Sequence, residues 1–119
     1  MPEDIKVCVE TGVIYIKSQG NIKEADLRQS LDTMLAISQE KAYCRVLVDA
    51  REQISLPPLF FLHVFAGQLA QRFPHFKHAL VVSHESTKNL YFIDTILNNR
   101  GVNIKTFNSM ELALSWLTK

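Results

Sequence analysis

Serine, histidine and glutamate side chains follow one another at residues 83–86, where the sequence predicts that a strand ends. A hydroxyl, an imidazole and a carboxylate are the groups of a nucleophilic triad. Such a triad needs a base that reaches the nucleophile and a third group that orients the base, whereas neighbours at a strand end point in divergent directions. We therefore interpret Ser83 or Ser86 as a helix cap, and we expect no catalytic residue and no enzyme activity.

His75 and His78 have a spacing that two metal ligands can share. No cysteine or further carboxylate follows them at a spacing typical of zinc sites. The sequence also contains no glycine-rich phosphate loop and no dinucleotide-binding fingerprint. We therefore expect neither a metal ion nor a cofactor.

Three charged side chains, Asp49, Arg51 and Glu52, follow a short apolar run that predicts a central strand. Ligands of parallel sheets bind beyond the carboxyl ends of strands, so this segment is a candidate acid–base or anion site. We interpret it instead as a solvated polar loop. Ser55 ends the loop and is predicted to cap the next helix, with a regulatory phosphorylation site as the alternative.

Composition indicates one ordinary globular domain over residues 1–119, because 47% of the residues are apolar and 21% are charged. The net charge is +1 and the basic residues are scattered, which disfavours nucleic acid as a partner. The acidic start does not resemble a signal peptide, and no apolar run reaches the roughly 20 residues of a membrane span. We expect a cytoplasmic protein with at most peripheral membrane contact, in which Cys8 and Cys44 are buried and reduced.

The pattern of apolar residues predicts an alternation of strands and helices. Residues 5–9 and 13–16 have the character of a hairpin, and short apolar runs at 46–48, 79–82 and 102–107 are typical of buried strands. Helical spacing lies between these runs and after the last one. Asn21 with Glu24, and Asn108 with Glu111, predict the starts of the first and last helices. The fold class is therefore α/β, with a mainly parallel sheet of about five strands, an antiparallel N-terminal edge strand and four helices.

Several sequence segments resemble those of the SpoIIAA-like group of STAS-related domains. This group is also compared with the lipid-binding CRAL-TRIO (Sec14-like) fold. They are Leu47-Val48-Asp49-Ala50-Arg51, Arg100-Gly101-Val102, Phe107-Asn108-Ser109 and Glu111-Leu112-Ala113-Leu114-Ser115-Trp116-Leu117. The resemblance covers nearly the whole chain and implies the fold. STAS antagonists of anti-sigma factors carry a phosphorylatable serine in an Asp-Ser-Ser-Gly type motif at the start of the helix after the central strand. That motif is absent here, so the kinase-regulated mechanism is not carried over.

The second helix, predicted from Leu56 to about residue 73, has an unusual distribution of apolar side chains. A helical wheel places one stripe toward the core, formed by Leu59, Leu62, Ala66, Leu69, Ala70 and Phe73. Phe60, Phe61 and Val64 fall on the far side, so the first half of the helix is apolar all round. Burying one phenylalanine is worth roughly 1.5–3 kcal/mol, which is enough to recruit a covering surface.

Four covers remain open for Leu56, Phe60, Phe61 and Val64: a second subunit, an apolar ligand beneath a mobile helix, a membrane interface, or another part of the monomer. We predict a non-catalytic binding domain that engages an apolar small molecule, a lipid or a membrane surface through this helix. The alternative is a protein-interaction regulator that resembles the STAS antagonists and binds a partner protein. A homodimer through the same surface is also expected.

Overall fold

The computed structural model describes residues 3–40, 43–83 and 87–119. The elements, in chain order, are β1 Glu3–Cys8, β2 Val13–Asn21, α1 Glu24–Glu40, β3 Arg45–Ser55, α2 Leu59–Arg72, β4 Lys77–Val81, α3 Thr87–Asn99, β5 Asn103–Phe107 and α4 Met110–Leu117. Among the helices that the structure describes, none is long and apolar enough to cross a membrane.

The sheet has five strands in the order β1-β2-β3-β4-β5. β1 pairs antiparallel with β2, and every other neighbouring pair is parallel. The β1–β2 hairpin turns at Gly12, whose φ of 68° is a conformation that glycine adopts without strain. This arrangement confirms the predicted α/β fold class.

The two faces of the sheet form separate apolar cores. Val46 faces a large core that contains residues of α1, α2 and α3, whereas its neighbour Leu47 faces a smaller core closed by Ala113 and Leu117 of α4. This division follows from the alternation of side chains along a strand. Three helices therefore cover one face of the sheet, and α4 covers the other.

The segment between the central strand and the second helix differs from the sequence prediction. Residues 50–55, predicted as a loop, continue β3, because β2 is long enough to pair with them as far as Asn21 opposite Ser55. α2 then begins at Leu59 rather than at Leu56. Two prolines explain the delay, since a residue that precedes proline is driven out of the helical region. Leu56 and Pro57 both precede a proline, and Pro58, with φ −56° and ψ 154°, is the N-cap of α2.

Both predicted capping boxes are displaced along the chain. In α1 the side chain of Asp26 accepts a hydrogen bond from the Lys23 backbone N–H at 2.9 Å, while Asn21 belongs to β2. In α4 the N-cap is Ser109, whose hydroxyl accepts from the Leu112 N–H. Pairing within the sheet decides where each strand ends, and the cap is the next suitable residue.

The prediction of buried cysteines is wrong for both thiols. Cys8 is half-buried at the end of β1, and Cys44 is exposed just before β3. Hydrogen bonds from Thr11 lower the pKa of the Cys8 thiol. Both cysteines are free of disulfide bonds.

Candidate functional site

A cavity of about 100 Å³ lies in the larger core, between the sheet and the helices α1, α2 and α3. Three waters at their liquid volume of roughly 30 Å³ would occupy that space, as would a small organic molecule. The lining is mostly aliphatic. It consists of Glu3, Ile16, Leu27, Ser30, Leu31, Met34, Val46, Val48, Gln53, Leu56, Leu62, Phe65, Leu69, His78, Leu80, Ile93, Leu97 and Ile104.

α2 and the segment before it form one wall of this cavity. Leu62, Phe65 and Leu69 line it from successive turns of α2, and Leu56 lines it from the segment between β3 and α2. Leu56 is half-buried and packs against the core. Of the four side chains that the sequence singled out for apolar binding, Leu56 is the one that lines the cavity.

Phe61 does not lie on the far side of α2, so this part of the helical-wheel prediction is wrong. Its side chain is only 5% exposed and packs in a cluster with Ile22, Leu27 and Leu62. The guanidinium carbon of Arg28 lies 5.4 Å from the ring centroid, close enough for a cation–π contact. α2 packs against α1 and α3 rather than against the sheet alone, so its buried face is wider than one stripe.

The outer face of α2, which we define as Leu59, Phe60 and Val64, is exposed. Phe60 is 80% exposed and Val64 is 42% exposed, as expected for the far side of the helix. Leu59, which the helical wheel placed in the core stripe, is 47% exposed. Because α2 begins at Leu59, this residue lies in the first turn, beyond the edge of the core.

A chain of polar side chains lies at the cavity wall near the ends of β2 and β3. The Ser30 hydroxyl donates a hydrogen bond to the Glu3 carboxyl group, and Ser18 also bonds this carboxyl group. The Gln53 Nε2 donates to the Ser18 Oγ at 2.8 Å. Burial raises the pKa of the Glu3 carboxyl group despite its two hydroxyl partners. In the part of the chain that the structure describes, the buried Gln53 Oε1 has no hydrogen-bond partner.

His78 is a second polar group of the cavity wall. It is only 4% exposed, and burial lowers its pKa to about 4, so the imidazole is neutral at physiological pH. Its Nε2 is buried without a partner among the described residues. His75, by contrast, is exposed, and the described residues contain no group of three metal-ligating side chains.

The charged residues after the predicted central strand lie on β3 itself and do not line the cavity. Arg51 forms two hydrogen bonds of 2.8 Å to the Asp49 carboxylate, and this contact lowers the pKa of Asp49. Glu52 pairs with Lys17 at 3.1 Å. The Lys17–Glu52 pair is largely solvated, as the sequence predicted, whereas the Asp49 side chain is only 16% exposed, and the segment is a strand rather than a loop.

Ser55 is not the N-cap of α2, because it is the last residue of β3. Its hydroxyl donates a hydrogen bond of 2.7 Å to the Asn21 Oδ1, and its carbonyl accepts from the Ile22 N–H. These bonds join the ends of β2 and β3. The Ser55 side chain is exposed and therefore accessible to modification. Its regulatory phosphorylation stays a prediction. The remaining candidates, His84, Glu85 and Ser86, lie outside the described residues.

Sequence reasoning missed the polar residues of the cavity. Glu3, Ser18 and Gln53 belong to separate strands, and only the strand register brings them together. One signal was present, because Ser18 continues the alternation of Ile14 and Ile16 and therefore had to face the core. A small polar residue on a buried face requires a partner.

Comparison with solved structures supports the fold. An uncharacterized protein from the DUF3478 family with a SpoIIAA-like fold, from Shewanella loihica PV-4, matches with a TM-score of 0.63 and 18% sequence identity. The match covers 97% of this chain and 91% of that one. No family model and no curated protein matches the chain. The chain therefore has a SpoIIAA-like fold, as the sequence resemblance predicted.

The opposite exposures of two adjacent phenylalanines lead to a stability prediction. Phe61→Ala should lower the free energy of unfolding by about 3–5 kcal/mol, because it leaves a cavity in the core. Phe60→Ala should change it by less than about 0.5 kcal/mol, because its ring is solvated. Urea denaturation of both variants measures the difference. Equal destabilisation by the two substitutions would contradict the burial of Phe61 and the exposure of Phe60.

Burial of His78 leads to a prediction about pH. The unfolded histidine titrates near pH 6.5 and the folded one near 4, so only the unfolded chain binds a proton between these values. Stability from the neutral imidazole is therefore fully present above pH 6.5 and is lost as the pH falls. When the pH falls from 7 to 4.5, the free energy of unfolding should decrease by about 2–3 kcal/mol more for the wild type than for His78→Leu, as measured by urea denaturation. The control His75→Leu, at an exposed site, should keep the pH dependence of stability that the wild type has. If both variants lose this pH dependence, it does not arise from the burial of His78.

Proposed function

We propose that this protein is a non-catalytic binding domain that holds a small apolar molecule in the cavity beneath α2. The observation that carries the proposal is the cavity itself, about 100 Å³ with a largely aliphatic lining. An apolar cavity of about 150 Å³, half as large again as this one, binds benzene or xenon. The proposal retains the predicted role of the second helix but assigns the contact to its inner face.

The energetics of packing favour an occupant. Protein interiors are close-packed, and an unfilled cavity costs about 24 cal/mol per Å³, which amounts to about 2–3 kcal/mol for this one. A molecule that fills the space restores the missing dispersion contacts. Burial of its own apolar surface contributes further. Binding of a ligand in the cavity would therefore raise the free energy of unfolding of the protein.

α2 is suited to act as the cover of this cavity. Its closest packing partners are α1 and α3, and its start follows two consecutive prolines with no side-chain cap. The missing cap leaves the first turn of α2 held mainly by packing. Movement of this turn would open the wall that Leu56 and Leu62 form.

A second candidate function rests on the exposed outer face of α2. Phe60 at 80% exposure is a side chain that an apolar surface would readily bury. This face would serve a membrane interface, a second copy of the chain, or the partner protein of a regulator resembling the STAS antagonists. The position of Ser55, exposed three residues before Pro58, is compatible with modification near that face.

Two variants separate the inner and outer faces of α2. Val48→Phe should lower the affinity for methylcyclopentane at least tenfold, because the larger ring occupies the cavity that Val48 lines. Phe60→Ser should leave this affinity unchanged. The measurement is the ligand-induced increase in the unfolding temperature, since a ligand that binds only the native state stabilises it by RT ln(1 + [L]/Kd).

The reverse result would favour the second candidate. If Phe60→Ser lowers the affinity and Val48→Phe does not, the probe binds on the outer face. Flotation with phosphatidylcholine–phosphatidylglycerol vesicles then distinguishes a membrane surface from a protein partner. Retention of the wild-type unfolding temperature in the absence of probe shows that Phe60→Ser is folded.

A further inference from the structure

We infer that the ligand of the α2 cavity carries one hydrogen-bond donor, as an alcohol or a phenol does, and that Gln53 Oε1 accepts this bond. The inference rests on the proposed function and specifies the chemistry of the molecule bound. It starts from the one unpaired acceptor in the polar chain at the cavity wall.

The direction of hydrogen bonding in this chain determines which Gln53 atom is free. Ser30 and Ser18 both donate to the Glu3 carboxyl group, because a carboxylate accepts and does not donate. The single Ser18 proton is thereby used, so the Ser18 Oγ can only accept from Gln53. Gln53 must then present its Nε2 to Ser18, at 2.8 Å, and this orientation leaves Oε1 as the group without a partner.

An unpaired buried acceptor favours ligands that carry a hydrogen-bond donor over ligands that do not. A buried carbonyl oxygen that lacks a hydrogen bond costs about 1–3 kcal/mol, and a ligand O–H removes that cost. A ketone or an ether offers only a second acceptor. A carboxylate would add negative charge beside Glu3, whose pKa burial has already raised. A neutral donor on an apolar body therefore matches the site best.

His78 is the alternative partner for a polar group, but it lies elsewhere in the cavity. Its neighbours across the sheet are Val46 and Ile104, whereas Gln53 pairs with Gly20 at the far end of β2. Val46 and Gln53 are seven residues apart on β3, with a shift of the β2–β3 register between them, so His78 and Gln53 belong to different ends of the cavity lining. The Gln53 end has the polar chain that determines which atom is a free acceptor.

The test compares three probes of similar shape: cyclopentanol as donor, cyclopentanone as acceptor only, and methylcyclopentane as the apolar reference. Isothermal calorimetry or ligand-observed NMR gives their dissociation constants. The quantity compared is the dissociation constant of cyclopentanone divided by that of cyclopentanol. We expect this ratio to be about tenfold higher for the wild type than for Gln53→Met. Comparing the two proteins cancels the different hydration of the probes, as in a double-mutant cycle.

The outcomes separate the two proposals. If all three probes bind and the wild type shows the same alcohol-to-ketone ratio as Gln53→Met, the donor inference is overturned and the cavity proposal stands. If none of the three binds, the cavity proposal fails and the inference fails with it. Should Gln53→Met not fold, Gln53→Leu takes its place as the reference protein, and an alcohol-to-ketone ratio equal to that of the wild type again overturns the inference.

Discussion

The extension of β3 to Ser55 is the constraint from which the candidate site follows. Continued pairing with β2 keeps the chain extended for eleven residues, and two prolines delay the next helix until Leu59. Gln53 and Leu56 are thereby placed against the larger core instead of in solvent or in a helix. α2 then lies across α1 and α3, and the cavity occupies the space that it covers.

The same face of the sheet holds apolar and polar groups whose burial has opposite consequences. Aliphatic side chains stabilise the fold through burial, whereas loss of hydration lowers the pKa of His78 and raises that of the Glu3 carboxyl group. Hydroxyl groups offset part of that cost for Glu3. Unpaired atoms of Gln53 and His78 remain in the cavity wall. Burial of such atoms is unfavourable unless a partner binds, so an occupant that supplies a hydrogen-bonding partner would stabilise the folded protein.

The sequence predicted the order of elements because strand and helix periodicities are local and strong. The short runs around Val46 and Leu80 must be buried on both faces, and that requirement indicates a parallel sheet. The end of β3 was not predictable in the same way. It depends on how far β2 continues beside it, and the polar composition of residues 50–55 resembles that of a loop.

The environment of α2 shows the limit of a helical wheel. Phe60 and Phe61 are adjacent and chemically identical, yet one is exposed and the other is buried against α1. A wheel assigns faces relative to one packing surface, whereas α2 packs against two helices as well as the core beneath it. The cavity has no sequence signature either, since its volume depends on the fit of side chains from eight elements.

The most direct test of the account is a ¹³C-methyl NMR titration with methylcyclopentane. A ligand bound beneath α2 should change the chemical shifts of methyl groups that line the cavity, such as those of Leu62, Leu69 and Ile104. The methyl groups of Leu59 and Val64 on the outer face of α2 should remain unchanged. Changes confined to Leu59 and Val64, with none at the cavity methyl groups, would contradict the proposal that the protein binds its ligand beneath α2.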